Sequence, residues 1–350
     1  MQDTLEQRGP DSADPIIEAR NVSVTYDLEH RDAMVLDDVS IDLRRGEILG
    51  VVGESGSGKS MLANAMMDAV EEPGITTGSV TYHPEDGDPV DILDLSHEEL
   101  NEFRWEEVSM VFQGALSSFN PTMSIRGHFE ETLEAHDYDV EEGMERARQL
   151  LSDLYLDPDR VLDSYAHELS GGMSQRALIA LSLILEPQVL LMDEPTAALD
   201  LLMQRSILSL LADIKEKYDL TILFITHDLP LVAGLADRLA ILYAFELAEV
   251  GTAEQIAHDS KHPYTRALLQ AVPNLDAPTE SMRPIEGTAP NPAHVPDGCH
   301  YAPRCPLATK QCHQETPPWV DVEENHRSAC FHYDDAEDAV PFDLEEVSDA

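Results

Sequence analysis

The chain has 350 residues, 43% of them hydrophobic, enough to bury a sizeable core in one large domain plus an appendage or in two medium domains. Its 68 acidic against 22 basic residues give a formal net charge of -46, which argues against nucleic acid as a partner, since no broad face could neutralise a phosphate backbone. No apolar run reaches the roughly 18 residues of a membrane span and residues 1–15 hold no apolar signal core, so a soluble, cytoplasmic chain is expected.

Taken in chain order, residues 16–24 alternate as a strand, and residues 39–43 and 47–52 form two more, separated by the Arg45-Gly46 turn. The last strand enters Gly53-Glu54-Ser55-Gly56-Ser57-Gly58-Lys59-Ser60, a G-x-x-x-x-G-K-[ST] phosphate loop. Met61, Leu62, Ala65, Met66 and Ala69 then recur at helical spacing over 59–70, giving the motif its required strand and helix flanks. Residues 85–105 read as an acidic surface connection, and 127–165, rich in helix formers, as a helical insertion. Residues 170–185 predict a helix, 188–192 a buried strand, 201–217 an amphipathic helix and 221–225 a further buried strand. Short apolar strands alternating with helices indicate a parallel sheet covered on both faces. Beyond residue 273 proline becomes frequent and all four cysteines appear, so a boundary is placed near Asn274, with a solvated, disordered tail over 334–350.

The phosphate loop works because glycines let successive backbone N–H groups converge on phosphates at a helix N-terminus. Lys59 is the only lysine in the first 214 residues; it supplies a point charge toward the β- and γ-phosphates, while the Ser60 hydroxyl can ligate magnesium. Val189-Leu190-Leu191-Met192 leads into Asp193-Glu194, where the aspartate can hold the magnesium shell and the glutamate can polarise an attacking water.

Leu169-Ser170-Gly171-Gly172-Met173 resembles the signature motif of ATP-binding cassette ATPases, with methionine in place of the commoner glutamine. Val111-Phe112-Gln113 resembles that family's Q-loop, Ala198-Leu199-Asp200 its D-loop, and Thr226-His227-Asp228 its switch histidine, all in the family's order. Tyr26 matches the position of its adenine-stacking aromatic. The resemblance implies an α/β P-loop cassette fold with a mixed core sheet, an antiparallel β subdomain and a helical subdomain over about 115–186, the whole cassette spanning 16–273 after a polar extension over 1–15. It also implies that two cassettes dimerise head to tail, so ATP and Mg2+ bound at residues 53–60 of one are capped by Ser170, Gly171 and Gly172 of the other. Glu194 would act as general base, His227 would contact the γ-phosphate, and Gln113 would join Ser60 and Asp193 around magnesium.

The similarity narrows at Gln113-Gly114-Ala115-Leu116-Ser117-Ser118-Phe119-Asn120-Pro121 and at His262-Pro263-Tyr264-Thr265-Arg266-Ala267-Leu268-Leu269, which resemble segments of dipeptide, oligopeptide and nickel importer ATPases. Gly298-Cys299, Pro303-Arg304-Cys305-Pro306, Cys312 and residues 326–330 are similar to that group's C-terminal region, placed at 274–333. Ala244-Phe245-Glu246 departs from the group's pattern, with phenylalanine where glycine is usual, leaving the local turn open. The spacing C-x5-C-x6-C-x17-C of Cys299, Cys305, Cys312 and Cys330 leaves zinc, an iron-sulfur cluster and reduced thiols open; the resemblance favours a four-iron four-sulfur cluster. The implied function is ATP-driven peptide uptake, with nickel or oligosaccharide as alternative cargoes. The implied partners are two membrane permease subunits, a second ATPase subunit (a paralogue or another copy) and, indirectly, an extracellular binding protein, all at the cytoplasmic face of the membrane. The rival reading, a cassette of DNA repair, chromosome structure or translation, calls for long coiled-coil insertions or a second cassette, and neither is found here. Acidity with so little lysine also fits a cytoplasm of molar salt, where the Debye length is about 3 Å, so a halophilic archaeal source is expected.

Overall fold

The computed structural model describes residues 14–28, 31–197, 199–271 and 285–341, and the chain divides into two units, one of residues 1–93 with 227–350 and one of residues 94–226. The first unit begins with β1 (Pro15–Leu28) and β2 (Arg31–Arg44), longer than the alternation alone predicts. Ile17, Ala19, Val22 and Val24 of β1 are fully buried while the residues between them are not, so one face of the sheet packs inward. The all-apolar β3 (Ile48–Val52) is buried throughout and opens through the phosphate loop into α1 (Lys59–Met66). β4 (Gly74–Tyr82) and β5 (Val90–Asp91) complete an antiparallel sheet of order β2-β1-β4-β5.

The second unit opens with α2 (His97–Glu106), which begins within the segment 85–105 read as an acidic surface connection. Its start was legible: Ser96 and Glu99 form a capping box, each side chain accepting the other's backbone N–H. Only Leu100 and Phe103 are buried on this helix, too few apolar positions for periodicity to reveal it. After β6 (Val108–Val111) come α3 (Ala115–Ser118), α4 (Ile125–Ala135), α5 (Val140–Asp153), α6 (Pro158–Leu162) and α7 (Gly171–Ser182), a helical run close to the expected insertion. β7 (Val189–Asp193), α8 (Leu201–Tyr218) and β8 (Thr221–Thr226) follow, with β6, β7 and β8 paired in parallel.

Returning to the first unit, α9 (Leu229–Ala233) leads to β9 (Arg238–Tyr243), which pairs in parallel with β3, and to β10 (Glu246–Thr252), which pairs antiparallel with β9. The Asp237 carboxylate accepts the Ile48 N–H at 2.7 Å, and buried Arg238 donates to buried Glu47 at 2.9 Å, fixing β9 beside β3. α10 (Ala253–Asp259) and α11 (Pro263–Gln270) close the cassette. The expected boundary at Asn274 and residues 1–13 of the expected extension over 1–15 lie outside the described residues, and Pro15, its last residue, begins β1.

The C-terminal region adds two strands to this unit. β11 (Val320–Glu323) pairs with β12 (His326–Ser328), which pairs antiparallel with β10. His326 Nε2 lies 2.8 Å from Glu249 Oε1, both side chains fully buried. The tail expected to be solvated instead begins with α12 (Ala336–Ala339), and buried Arg266 donates to the Val340 carbonyl at 2.7 Å. Ala336 and Val340 supply apolar contacts that the surrounding acids conceal in a composition count; residues 342–350 lie outside the described residues.

Candidate functional site

The phosphate loop lies between β3 and α1, as its motif requires. Gly58 has φ 106, and a Cβ there would fall 2.6 Å from the Val35 carbonyl; one on Gly53 would fall 2.1 Å from the Leu242 carbonyl. Backbone contact therefore requires glycine at both positions, and at Gly58 the left-handed backbone requires it as well. Lys59 Nζ donates to the Gly53 and Glu54 carbonyls at 2.8 and 2.9 Å, so the ammonium is wrapped by the loop that it serves. Ser55, Gly56 and Ser60 are exposed or nearly so, leaving the outer surface of the loop open to an anion. Tyr26 is half-buried in β1, paired with Ala33 on one side and Gly74 on the other.

Two supports of this loop come from Tyr264 and Arg304, which stand in the importer-like segments 262–269 and 303–306 but have no role assigned there. The Glu54 N–H donates to the Tyr264 hydroxyl at 3.0 Å, and Arg304 Nη1 donates to Glu54 Oε2 at 3.0 Å and to the Tyr243 hydroxyl at 3.2 Å. Tyr243, Tyr264 and Tyr301 pack ring to ring at centroid distances of 4.4 to 5.4 Å beneath them. Burial pushes the Tyr264 and Tyr301 hydroxyls well above the ordinary phenol range, so they stay protonated hydrogen-bonding groups.

Apart from His227, which belongs to the first unit, the remaining motifs lie at the ends of the second unit's own elements. Asp193 closes β7 and is buried, whereas Glu194 follows at φ 45, a left-handed backbone that is strained for a residue with a side chain. Its carboxylate accepts from Gln113 Nε2 at 3.0 Å, joining the Q-loop to the candidate base. Ser170 caps α7, accepting the Met173 N–H at 3.4 Å, and Ser170 and Gly171 are exposed at a helix N-terminus whose dipole favours anions. Asp200 caps α8 by accepting from the Met203 N–H at 3.0 Å, and the next residues, Leu201 and Leu202, are 69% and 80% exposed. Ala198 of the D-loop lies outside the described residues. His227 is exposed directly after the last residue of β8.

Cys299, Cys305, Cys312 and Cys330 line one small cavity, all as free thiols. Burial pushes the Cys299 and Cys305 thiols up to about 11 and Cys330 to about 12, with the neighbouring sulfurs adding repulsion. The His332 N–H donates to Cys330 Sγ at 3.3 Å. Four thiols around one small cavity, costly to ionise without a cation among them, suit a four-thiolate metal group.

A phosphate loop on one unit, with an acidic strand end and an open serine-capped helix on the other, defines a P-loop ATPase of the ATP-binding cassette class. The family described as "ABC transporter" matches residues 36–197, and that described as "Oligopeptide/dipeptide transporter, C-terminal region" matches residues 248–312. The chain is 38% identical to the dipeptide transport ATP-binding protein DppD of Caldanaerobacter subterraneus subsp. tengcongensis, over 91% of this chain and 98% of that protein. It is also 38% identical to the oligopeptide transport ATP-binding protein OppD of Escherichia coli strain K12, over 91% and 94%. The dimeric structure of MJ0796, a bacterial ABC transporter cassette, superposes with a TM-score of 0.59 at 28% identity, covering 68% of this chain and 98% of that one. The chain belongs to the ATPase subunits of the oligopeptide/dipeptide family of ABC importers. It is an ATP-binding and ATP-hydrolysing subunit, and the relatives above are named for dipeptide and oligopeptide transport. Among the described residues no helix is long and apolar enough to cross a membrane.

The motifs mark every element end used above. The segments holding Tyr264 and Arg304 were singled out by resemblance, but their link to Glu54 was missed, because separations of 210 and 250 residues leave no local signal.

Proposed function

We propose that the chain works as one half of a two-ATPase engine, its partner a paralogue or another copy, beneath two permease subunits at the cytoplasmic face of the membrane. The observation that carries this reading is the open α7 N-terminus, with Ser170 and Gly171 exposed, beside the outward-facing Leu201 and Leu202 that follow Asp200. Exposed leucines beside an exposed, serine-capped helix N-terminus suit a face that a second cassette and its nucleotide cover. In this reading ATP lies on residues 53–60 and stacks on Tyr26, and the partner's signature helix donates to its γ-phosphate. Magnesium would be held by Ser60, Gln113 and Asp193 and would neutralise phosphate charge when bound. Glu194 takes a proton from the attacking water, Gln113 orients the Glu194 carboxylate, and His227 contacts the γ-phosphate. The segment 114–126, which follows the Q-loop, would carry the signal to a permease.

Cys299, Cys305, Cys312 and Cys330 would hold a four-iron four-sulfur cluster, which supplies a reducible centre when bound, or else zinc. Iron and acid-labile sulfide in a brown anaerobic preparation support the cluster; a colourless protein with stoichiometric zinc overturns it. The charge of -46 supports a salt-rich cytoplasm, expected to show as a higher melting temperature in molar salt than in dilute buffer.

The engine reading is tested by co-expressing the chain with its two permeases and its paralogue in proteoliposomes supplied with the binding protein and labelled peptides. Peptide uptake that needs ATP and all subunits is expected; uptake undiminished without this chain overturns the reading.

A further inference from the structure

Apart from the nucleotide loop and the four cysteines, one group of chemistry-bearing side chains converges in the first unit: Asp37 from β2, Glu246 from the start of β10, and His300. One donor atom from each lies within 4.8 Å of the others. They line a cavity of about 470 Å³ that Asp38 and Trp319 also border, leaving room for a cation and water.

The three residues are held to one structural point, the β9–β10 hairpin tip. Ala244 and Phe245 form its two-residue loop with φ 45 and 79, so the turn that the sequence leaves open closes in the left-handed region without glycine. Ala244 offers its carbonyl to His300 Nδ1 at 2.7 Å, Phe245 accepts the Asp37 N–H at 2.9 Å, and Glu246 is the next residue. The opposite edge of the tip meets the nucleotide loop, where the Phe245 N–H donates to the Ser57 carbonyl at 2.9 Å.

His300 is the informative member. Its side chain is 5% exposed, and with Nδ1–H given to a backbone carbonyl the neutral ring turns the lone pair of Nε2 toward Glu246 Oε1, 3.3 Å away. A lone pair facing a carboxylate oxygen is repulsive, and three things can relieve it: an imidazolium, a protonated glutamate, or a cation between them. Three carboxylates, Asp37, Asp38 and Glu246, border this pocket and no lysine or arginine among the described residues lines it, so the gap between Nε2 and Oε1 favours gain of a positive charge, as a cation or a proton.

We propose that Asp37, Glu246 and His300 bind a first-row divalent transition cation that braces the hairpin tip against the nucleotide loop. One imidazole nitrogen with two carboxylates is a borderline donor set, suited to Mn2+, Zn2+, Fe2+ or Co2+. Metal–ligand distances of about 2.0–2.2 Å need only a small inward swing of donors already this close. The backbone bond on Nδ1 is the outer-shell contact that fixes the tautomer of a metal-binding histidine. This site borders the thiol cavity, since Cys299 and Tyr301 line both, but it uses none of the four thiols or the nucleotide's magnesium ligands and does not depend on the engine reading above.

The test uses Mn2+ alone, titrated into the chelator-treated full chain without nucleotide and in molar KCl, which screens the many surface carboxylates. Hard Mn2+ is a poor match for the four thiols. Free Mn2+ is read by EPR, and nitrogen coupling to bound Mn2+ by its pulsed form. One Mn2+ per chain with an imidazole nitrogen coupling is expected, retained in Lys59→Ala and weakened at least 100-fold in His300→Ala and in Glu246→Gln. The near-isosteric Glu246→Gln keeps the test valid if His300→Ala fails to fold. Binding without nitrogen coupling, binding equal in the variants, or no binding beyond weak sites overturns the proposal; in the last case a proton on Glu246 bridges to Nε2 instead.

Discussion

Gln113 Nε2 donates to Glu194 Oε2 across 3.0 Å, joining two residues that lie 81 positions apart at the ends of β6 and β7. The bond orients a carboxylate on a strained backbone at φ 45, where a general base has to be held and not merely present. Glu194→Gln keeps the shape and removes the base. Single-turnover hydrolysis is expected to fall by about 10² to 10⁴ while ATP binding is kept and the ATPase dimer stays closed on gel filtration. Hydrolysis at the parent rate would remove Glu194 from that role.

Lys59 lies inside its own loop, held by the Gly53 and Glu54 carbonyls. In a chain of charge -46 this ammonium, the loop amides and magnesium provide nearly all the local attraction for a triphosphate. Lys59→Ala is expected to abolish ATP binding by fluorescent-nucleotide titration, with the circular dichroism spectrum unchanged. Parent-level binding contradicts this account.

Arg304 reaches Glu54 from a segment one residue before Cys305. Its side chain is 6% exposed and that of Glu54 25%, so the charged hydrogen bond is only partly screened and contributes about 1–2 kcal/mol. Arg304→Ala is expected to lower stability by that amount and to weaken ATP binding several-fold. A double-mutant cycle with Glu54→Ala is the measurement: additive effects would show the pair to be uncoupled.

His262 is buried at the start of α11, where Nδ1 accepts the Tyr264 N–H at 3.1 Å, and burial pushes its imidazole down to about 4 despite the nearby Glu249. The unfolded chain takes up a proton near 6.5, so between pH 6.5 and 4 the unfolded state holds more protons than the folded one. The contribution of this residue is complete above pH 6.5 and declines by up to about 3 kcal/mol as pH falls to 4. His262→Asn can still cap the helix, and its urea stability is expected to fall less steeply than the parent's over that window. Parallel profiles would disprove the assignment.

The elements that carry chemistry were legible because each has a local signature. Gly58 and Lys59 declare the loop, the apolar run into Asp193 declares a buried strand end, and Ser170-Gly171-Gly172 declares a helix start. What stayed hidden depends on distance along the chain. Nothing around Glu54 announces Arg304 or Tyr264, and nothing around Asp37 announces His300. The packed start of the supposed tail was hidden for a compositional reason, since Ala336 and Val340 are sparse among acids yet Arg266 binds the Val340 carbonyl.

The pairing of β12 with β10 limits how the protein can be cut. A minimal cassette ending at residue 273 would strip the partner from β10, leaving an open strand edge ready to recruit another chain. It would also strand Glu249, whose buried carboxylate meets His326, in a pocket without its counterpart. Insoluble material is the expected harvest from such a truncation, so shortened versions for crystallography or reconstitution should retain the chain through Pro341.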